Sequence, residues 1–276
     1  MKNLLQAHRV LEIKDDFSLL RKIPNVLRAR GFRLYLSNGK RLVDLWLTGG
    51  AAVLGHTPPN ILRELKNTAS RGLYSPFPHF TEARYLKALS KIFPNRVFRL
   101  YAAPPQELSV LLNNGSAKLW RPFTNPSNPF AATENSPILI PVLPGIQLWH
   151  GGLPIGLCIA AAPSENHFAN LPQSDILPPV LLATAARGIH DILAAPNRAA
   201  PKLQRIEKAL QGSRWQKHGI YLELKEKAET EKWSALFQKF LEAGFLLPPA
   251  PSFPLILPGE LSDGEEAKLA AALGEL

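Results

Sequence analysis

Sulfur is nearly missing from this chain: Cys158 is the one cysteine and Met1 the one methionine in 276 residues. A lone cysteine excludes an internal disulfide and any multi-cysteine zinc site. No stretch approaches the roughly 18 uninterrupted apolar residues of a membrane span, so no membrane partner is expected. The opening MKNLLQAHRVLEIKDD meets charge before a long apolar run forms, so no signal peptide is expected and the cytoplasm is the expected location. His79, His167, His190 and His218 lack the close pairing of metal ligands, and no zinc site is expected. Ser116 and Ser164 lack a Gly-x-Ser-x-Gly context for a nucleophile. Cys158 lies in an apolar run, 157–162, and reads as a small buried hydrophobe.

What is present is a foldable composition, 46% hydrophobic and 20% charged, enough for one large domain or two ordinary ones. The net charge of +10 is regional. Residues 1–100 hold 18 lysines and arginines against 6 aspartates and glutamates, while the rest of the chain is close to balanced. Such a section can attract phosphates or an acidic protein. No nucleic-acid motif accompanies it, so nucleic acid is not the expected partner. Sixteen of the 26 prolines fall between Pro76 and Pro179, which implies short or interrupted elements there.

Periodicity predicts a helix over 16–30 interrupted at Pro24, then a β-hairpin in GFRLYLSNGKRLVDLWL with a two-residue turn at Asn38-Gly39. A Gly-rich loop ends at Pro58-Pro59, where a helix starts, and a second short helix is expected over 81–93. Strands are expected over 96–101, 138–143 and 155–162, with irregular loop over 115–137 and a helix from Pro178-Pro179 onward. In the last section Trp233, Leu236, Phe237, Phe240 and Leu241 share a helix face that stops at Gly244. Short strands are expected over 245–247 and 253–257. Ser262-x-x-Glu265 is a capping box for a final helix, with Leu269 and Leu273 inward.

Three stretches together resemble the class III pyridoxal-phosphate aminotransferases. GFRLYLSNGKRLVDLWLTGGAAVLGHTPPNIL is similar to that family's N-terminal hairpin and Gly-His-x-Pro loop. HGGLPIGLCIAA is similar to the turn and strand after its catalytic lysine, and the segment from HGIYLELKEK to KLAAAL is similar to its C-terminal small domain. The resemblance implies an α/β fold of type I with a truncated large domain and an intact small α+β domain. Residues 1–75 would join the small domain, 76–200 would form the reduced cofactor-type domain, and 201–276 the rest of the small domain. It also implies a homodimer or a heteromer with an active relative.

The departures from that family fall on its chemistry. A lysine amine must form the Schiff base and shuttle the proton. Gln147 stands at its place, and no lysine occurs from Leu119 to Pro201. The acid that keeps the pyridine ring protonated is wanting, since no aspartate lies between Asp44 and Asp175, leaving Glu107 and Glu134. The phosphate turn is replaced by Ala103-Pro104-Pro105-Gln106, whose prolines carry no N–H. A substrate arginine of the C-terminal strand is replaced by an apolar position near Leu255.

The expected reading is a pseudoenzyme with no catalytic residues, no metal and no cofactor, acting in binding, regulation or assembly. Gln147, Trp149, His150, Gly151, Gly152 and His56 are the candidate lining of a remodelled pocket. Trp149 reads equally as filler of vacated space, and His56 as a structural turn histidine. Two alternatives stay open. One is a pyridoxal-phosphate aminotransferase using Lys118, Lys202 or a partner's lysine. The other is an anion or nucleic-acid binding module through the basic first section.

Overall fold

The computed structural model describes residues 17–130, 136–146, 148–150, 152–199, 201, 203–226 and 229–274. In place of the helix expected at the start there is a 3-10 turn, Phe17–Lys22, and then strand β1 (Val26–Arg30). Pro24 lacks the donor a helix needs. Beyond it the chain reverses at Gly31 (φ +54°), so β1 pairs antiparallel with β2 (Arg33–Leu36). The next hairpin, β2 to β3 (Arg41–Asp44), is present with a three-residue loop, Ser37–Gly39, rather than the expected two. Leu36 and Lys40 close it by a main-chain bond, and Gly39 takes the left-handed conformation (φ +78°) that such loops require.

Helices α1 (Pro59–Ala69) and α2 (Thr81–Ile92) begin where the sequence predicts. Then come β4 (Val97–Tyr101), α3 (Gln106–Asn113), β5 (Ala117–Trp120) and β6 (Ile138–Pro141). The expected strand over 155–162 is divided into β8 (Leu153–Ile155), which pairs back on β7 (Leu148–His150), and β9 (Cys158–Ala162). Gly156 at φ +84° separates them. Strands β4, β9, β6 and β5 form one sheet in that order, antiparallel except for β5 beside β6. Helix α4 (Pro179–Leu193) packs on α1 and α2.

The last third adds α5 (Gln204–Leu210), the hairpin β10 (Trp215–His218) and β11 (Tyr221–Leu224), and α6 (Thr230–Ala243). These are followed by β12 (Phe245–Leu246), β13 (Leu255–Ile256) and α7 (Asp263–Gly274). Helix α6 buries Trp233, Phe237 and Phe240, each worth about 2–3 kcal/mol of transfer energy. It ends at Gly244 (φ +95°), whose carbonyl accepts from Val43 N–H, so the helix stop feeds β12 in parallel beside β3. The first and last sections thereby share the sheet β1-β2-β3-β12. The capping box forms as expected: Ser262 N–H donates to Glu265 Oε2 (2.9 Å) and Glu265 N–H to Ser262 Oγ (3.3 Å). No helix among the described residues is long and apolar enough to cross a membrane.

Candidate functional site

The loop from β3 to α1 carries most of the backbone strain. Leu47, Thr48 and Thr57 have φ of +46°, +51° and +52°, in a region that side chains other than glycine disfavour. Such conformations cost about 1–3 kcal/mol each and persist where the surroundings enforce them. Here the enforcing group is Asp44, which is buried. Its Oδ1 accepts from Trp46 N–H (2.8 Å) and Leu47 N–H (3.0 Å), and its Oδ2 from His56 Nε2 (2.9 Å). Because a carboxylate only accepts, this bond places a proton on Nε2 of the imidazole. His56 is further fixed through its main chain, which exchanges two bonds with Gly31. Gly55 (φ +88°) allows this close approach, since a Cβ there would lie 2.9 Å from the Gly31 oxygen.

Beside this loop lies a cavity of about 280 Å³. Thr48, Leu54 and His56 line it from the loop, Ile61 and Leu65 from α1, and Ile146 from the segment ahead of β7. Pro144 and Gly145 complete that last wall because Gly188 lets α4 come against Pro144. The walls are apolar apart from Thr48, Thr57 and His56. Such a space can take a small apolar group and offers no carboxylate or lysine for chemistry.

Trp149 lies on the other side of the strained loop. Its indole N–H donates to Thr48 O (2.9 Å), its ring meets Phe253 edge-on at 5.1 Å, and Val142 completes the cluster. A Cβ on Gly49 would run into the indole. Arg121, just past β5, donates from Nε to Gly49 O (3.2 Å). Burial lowers its pKa, with Tyr221 and Glu223 opposing. Trp46 packs against Phe17 with ring centroids 5.8 Å apart, and its buried Nε1 is a donor without a hydrogen-bond partner among the described residues.

The remaining predicted residues are scattered. Gln147 and Gly151 lie outside the described residues, as do Glu134 and Lys202. His150 pairs with Leu153 in the β7–β8 hairpin, and Gly152 (φ +78°) makes its turn. Of the expected lining residues, the structure puts His56 on the cavity and Trp149 in the adjoining apolar cluster. Ala103-Pro104-Pro105-Gln106 does lead into a helix, α3. The amide of Ala102 at this turn donates to Asp175 Oδ2 (2.8 Å), and Glu107 sits exposed in the first turn of α3. Lys118 is exposed on β5, and Leu255 is buried in β13 opposite Leu222. Burial pushes the Cys158 thiol up to about 12, which keeps it inert. No group of three metal-ligating side chains occurs among the described residues.

Asp44, Arg121, Phe253 and Ile146 belong to this region and carry no motif of their own. Asp44 alone had a signal, since a short carboxylate two residues before an irregular turn commonly caps its amides.

No family model matches the sequence. A protein of Treponema pallidum (strain Nichols), described as uncharacterized, is 27% identical over 291 residues, which is 87% of this chain and 91% of its own. One of Borreliella burgdorferi, also described as uncharacterized, is 38% identical over 78 residues, 28% of this chain and 29% of its own. Among solved structures, a transaminase with PLP bound superposes with a TM-score of 0.62 at 13% identity, covering 92% of this chain and 90% of its own. The ornithine delta-aminotransferase of Plasmodium falciparum gives 0.61 at 11% identity, covering 92% of each chain. The acetylornithine aminotransferase of Elizabethkingia anophelis gives 0.58 at 13%, covering 92% of this chain and 93% of its own. At these identities the likeness is one of architecture: the chain is a mixed α/β protein with the fold of the pyridoxal-phosphate aminotransferases.

Proposed function

We propose that this protein is a catalytically inactive relative of those aminotransferases, serving in binding, regulation or assembly as a homodimer or beside an active relative. The observation that carries this reading is the want of any lysine between Lys118 and Lys202, a stretch that includes every residue of β6, β7, β8, β9 and α4. Without an amine there is neither a Schiff base nor a proton shuttle. Lys118 stands exposed on β5, at the edge of its sheet.

The residues present do not fit pyridoxal phosphate. An anion at the turn before α3 would meet the Asp175 carboxylate already bound to Ala102 N–H and Glu107 in the first turn of the helix, while Pro104 and Pro105 supply no amide. Trp149, Val142 and Phe253 fill space beside Gly49 with apolar side chains. In this reading residues 1–75 and 201–276 make the small domain, and 76–200 a large domain reduced to a four-stranded sheet. The pairing of Val43 with Phe245 supports the first half of that division.

Titration of the purified protein with pyridoxal phosphate, followed by borohydride reduction and mass spectrometry, tests the reading. No stoichiometric lysine adduct is expected. A single saturable adduct, at Lys118 or Lys202, overturns it.

A further inference from the structure

The sheet β1-β2-β3-β12 has an open edge at β1, where Val26, Leu27, Arg28 and Arg30 are all exposed, Leu27 by 72%. Gly31, in the turn between β1 and β2, exchanges two main-chain bonds with His56. Arg30 and Arg33 flank the two-residue turn and so form a hydrogen-bonded pair, as do Arg28 and Tyr35, which leaves the main-chain groups of Ala29 between them turned away from β2. Among the described residues no strand lies against them.

Direct pairing puts side chains on a common face, and Arg28 stands opposite Tyr35, Arg30 opposite Arg33, and Tyr35 opposite Arg41. One face therefore carries four arginines. On the inner strands they are neutralised from the C-terminal section: Glu265 bonds Arg33 (2.6 Å) and Arg41 (3.0 Å), and Glu260 reaches Arg33 (3.4 Å). On β1 they are not. Arg28 lies 4.1 Å over the Tyr35 ring, and among the described residues neither it nor Arg30 has a carboxylate partner. No acidic residue occurs from Phe17 to Val43, while Arg21, Lys22 and Lys40 add to the charge.

We infer that this edge docks an extended acidic segment of another protein, added as a strand beside β1, its carboxylates on Arg28 and Arg30 as Glu265 sits on Arg33 and Arg41. Arginines and the irregular register between Val26 and Arg28 also guard an edge against indiscriminate pairing. They do not guard it against a strand of opposite charge. A protein strand uses all that is exposed here, the open Ala29 main chain and the apolar Val26 and Leu27 together with the cations, whereas a nucleic acid would use the cations alone. The inference does not rest on the absence of catalysis.

The test is fluorescence anisotropy of the full chain with a short fluorescein-labelled peptide of alternating glutamate and valine. Saturable binding is expected, weakened about tenfold or more by Arg28→Glu with Arg30→Glu, since like charges now face the peptide. Ala29→Pro, which removes an outward amide, is expected to weaken it as well. Should that variant not fold, the same peptide with alternate backbone nitrogens methylated reports on the strand pairing and is expected not to bind the unaltered protein. The inference is overturned by absence of binding, by equal binding of the methylated peptide, or by a single-stranded oligonucleotide of equal charge binding as tightly as the peptide.

Discussion

The indole N–H of Trp149 donates to the main-chain oxygen of Thr48 across 2.9 Å, and the ring covers the place a side chain on Gly49 would take. Two costs therefore fall on Gly49→Ala. The left-handed conformation (φ +63°) disfavours any Cβ by about 1 kcal/mol, and the collision adds about 1–3 kcal/mol. Trp149→Ala empties the cluster with Phe253 and Val142 and is expected to cost about 3–5 kcal/mol. The double variant is expected to lose less than the two single losses added, because the collision vanishes with the ring. Urea unfolding of the four proteins measures this, and strict additivity would show that the close approach is not what makes glycine necessary.

Asp44 serves three donors and His56 one acceptor, which ranks their substitutions. Asp44→Ala orphans the amides of Trp46 and Leu47 and the imidazole, and about 3 kcal/mol of stability is expected to go with it. His56→Ala leaves the carboxylate with two amide donors, and about 1 kcal/mol is expected. Urea midpoints in the reverse order would mean that His56, rather than Asp44, organises the strained loop.

The acid limb of the stability curve should report on Glu265. Hydrogen bonding to Arg33 holds its carboxyl down at about 2, helped by the Ser262 amide and opposed by burial. A depressed acid contributes fully at pH above its unfolded value, about 4.3, and loses that contribution as pH falls toward 2. Unfolding in urea from pH 6 to pH 2 should therefore show stability falling through this window. Glu265→Gln should be less stable at pH 6 and should flatten the fall. An unchanged slope would mean that the contact between α7 and the N-terminal hairpin does not hold in solution.

Elements whose partners are close in sequence could be read from the residues. Helix α6 carries five apolar residues on one face and a glycine at its end, and α7 carries its own capping box. Both are local devices. Strand β5 is four residues among proline-rich loop and exists because Ala117–Trp120 pairs in parallel with Ile138–Pro141. Parallel pairing at that distance leaves no turn signal. The hairpin β10–β11 did have one, Gly219 (φ +60°) at the first place of a two-residue turn. The site follows the same division. His56 stands out by its loop, whereas Arg121 and Phe253 reach Gly49 and Trp149 only through the tertiary fold.

Restoring the missing amine should not restore an enzyme. Gln147→Lys supplies a nucleophile at the position where the resemblance puts one, yet the turn before α3 still presents Asp175 on Ala102 N–H and two prolines without donors. Leu255 remains an apolar, buried residue close to where the resemblance puts a substrate-binding arginine. Phosphate and substrate binding are separate from the amine, and losses of groups that act together are not repaired one at a time. The expected outcome is no turnover with common amino donors and oxo acids, followed by coupled assay of oxo-acid formation. Turnover recovered by that single change would show that the phosphate turn and the substrate site survive in another form, and the pseudoenzyme reading would fall with it.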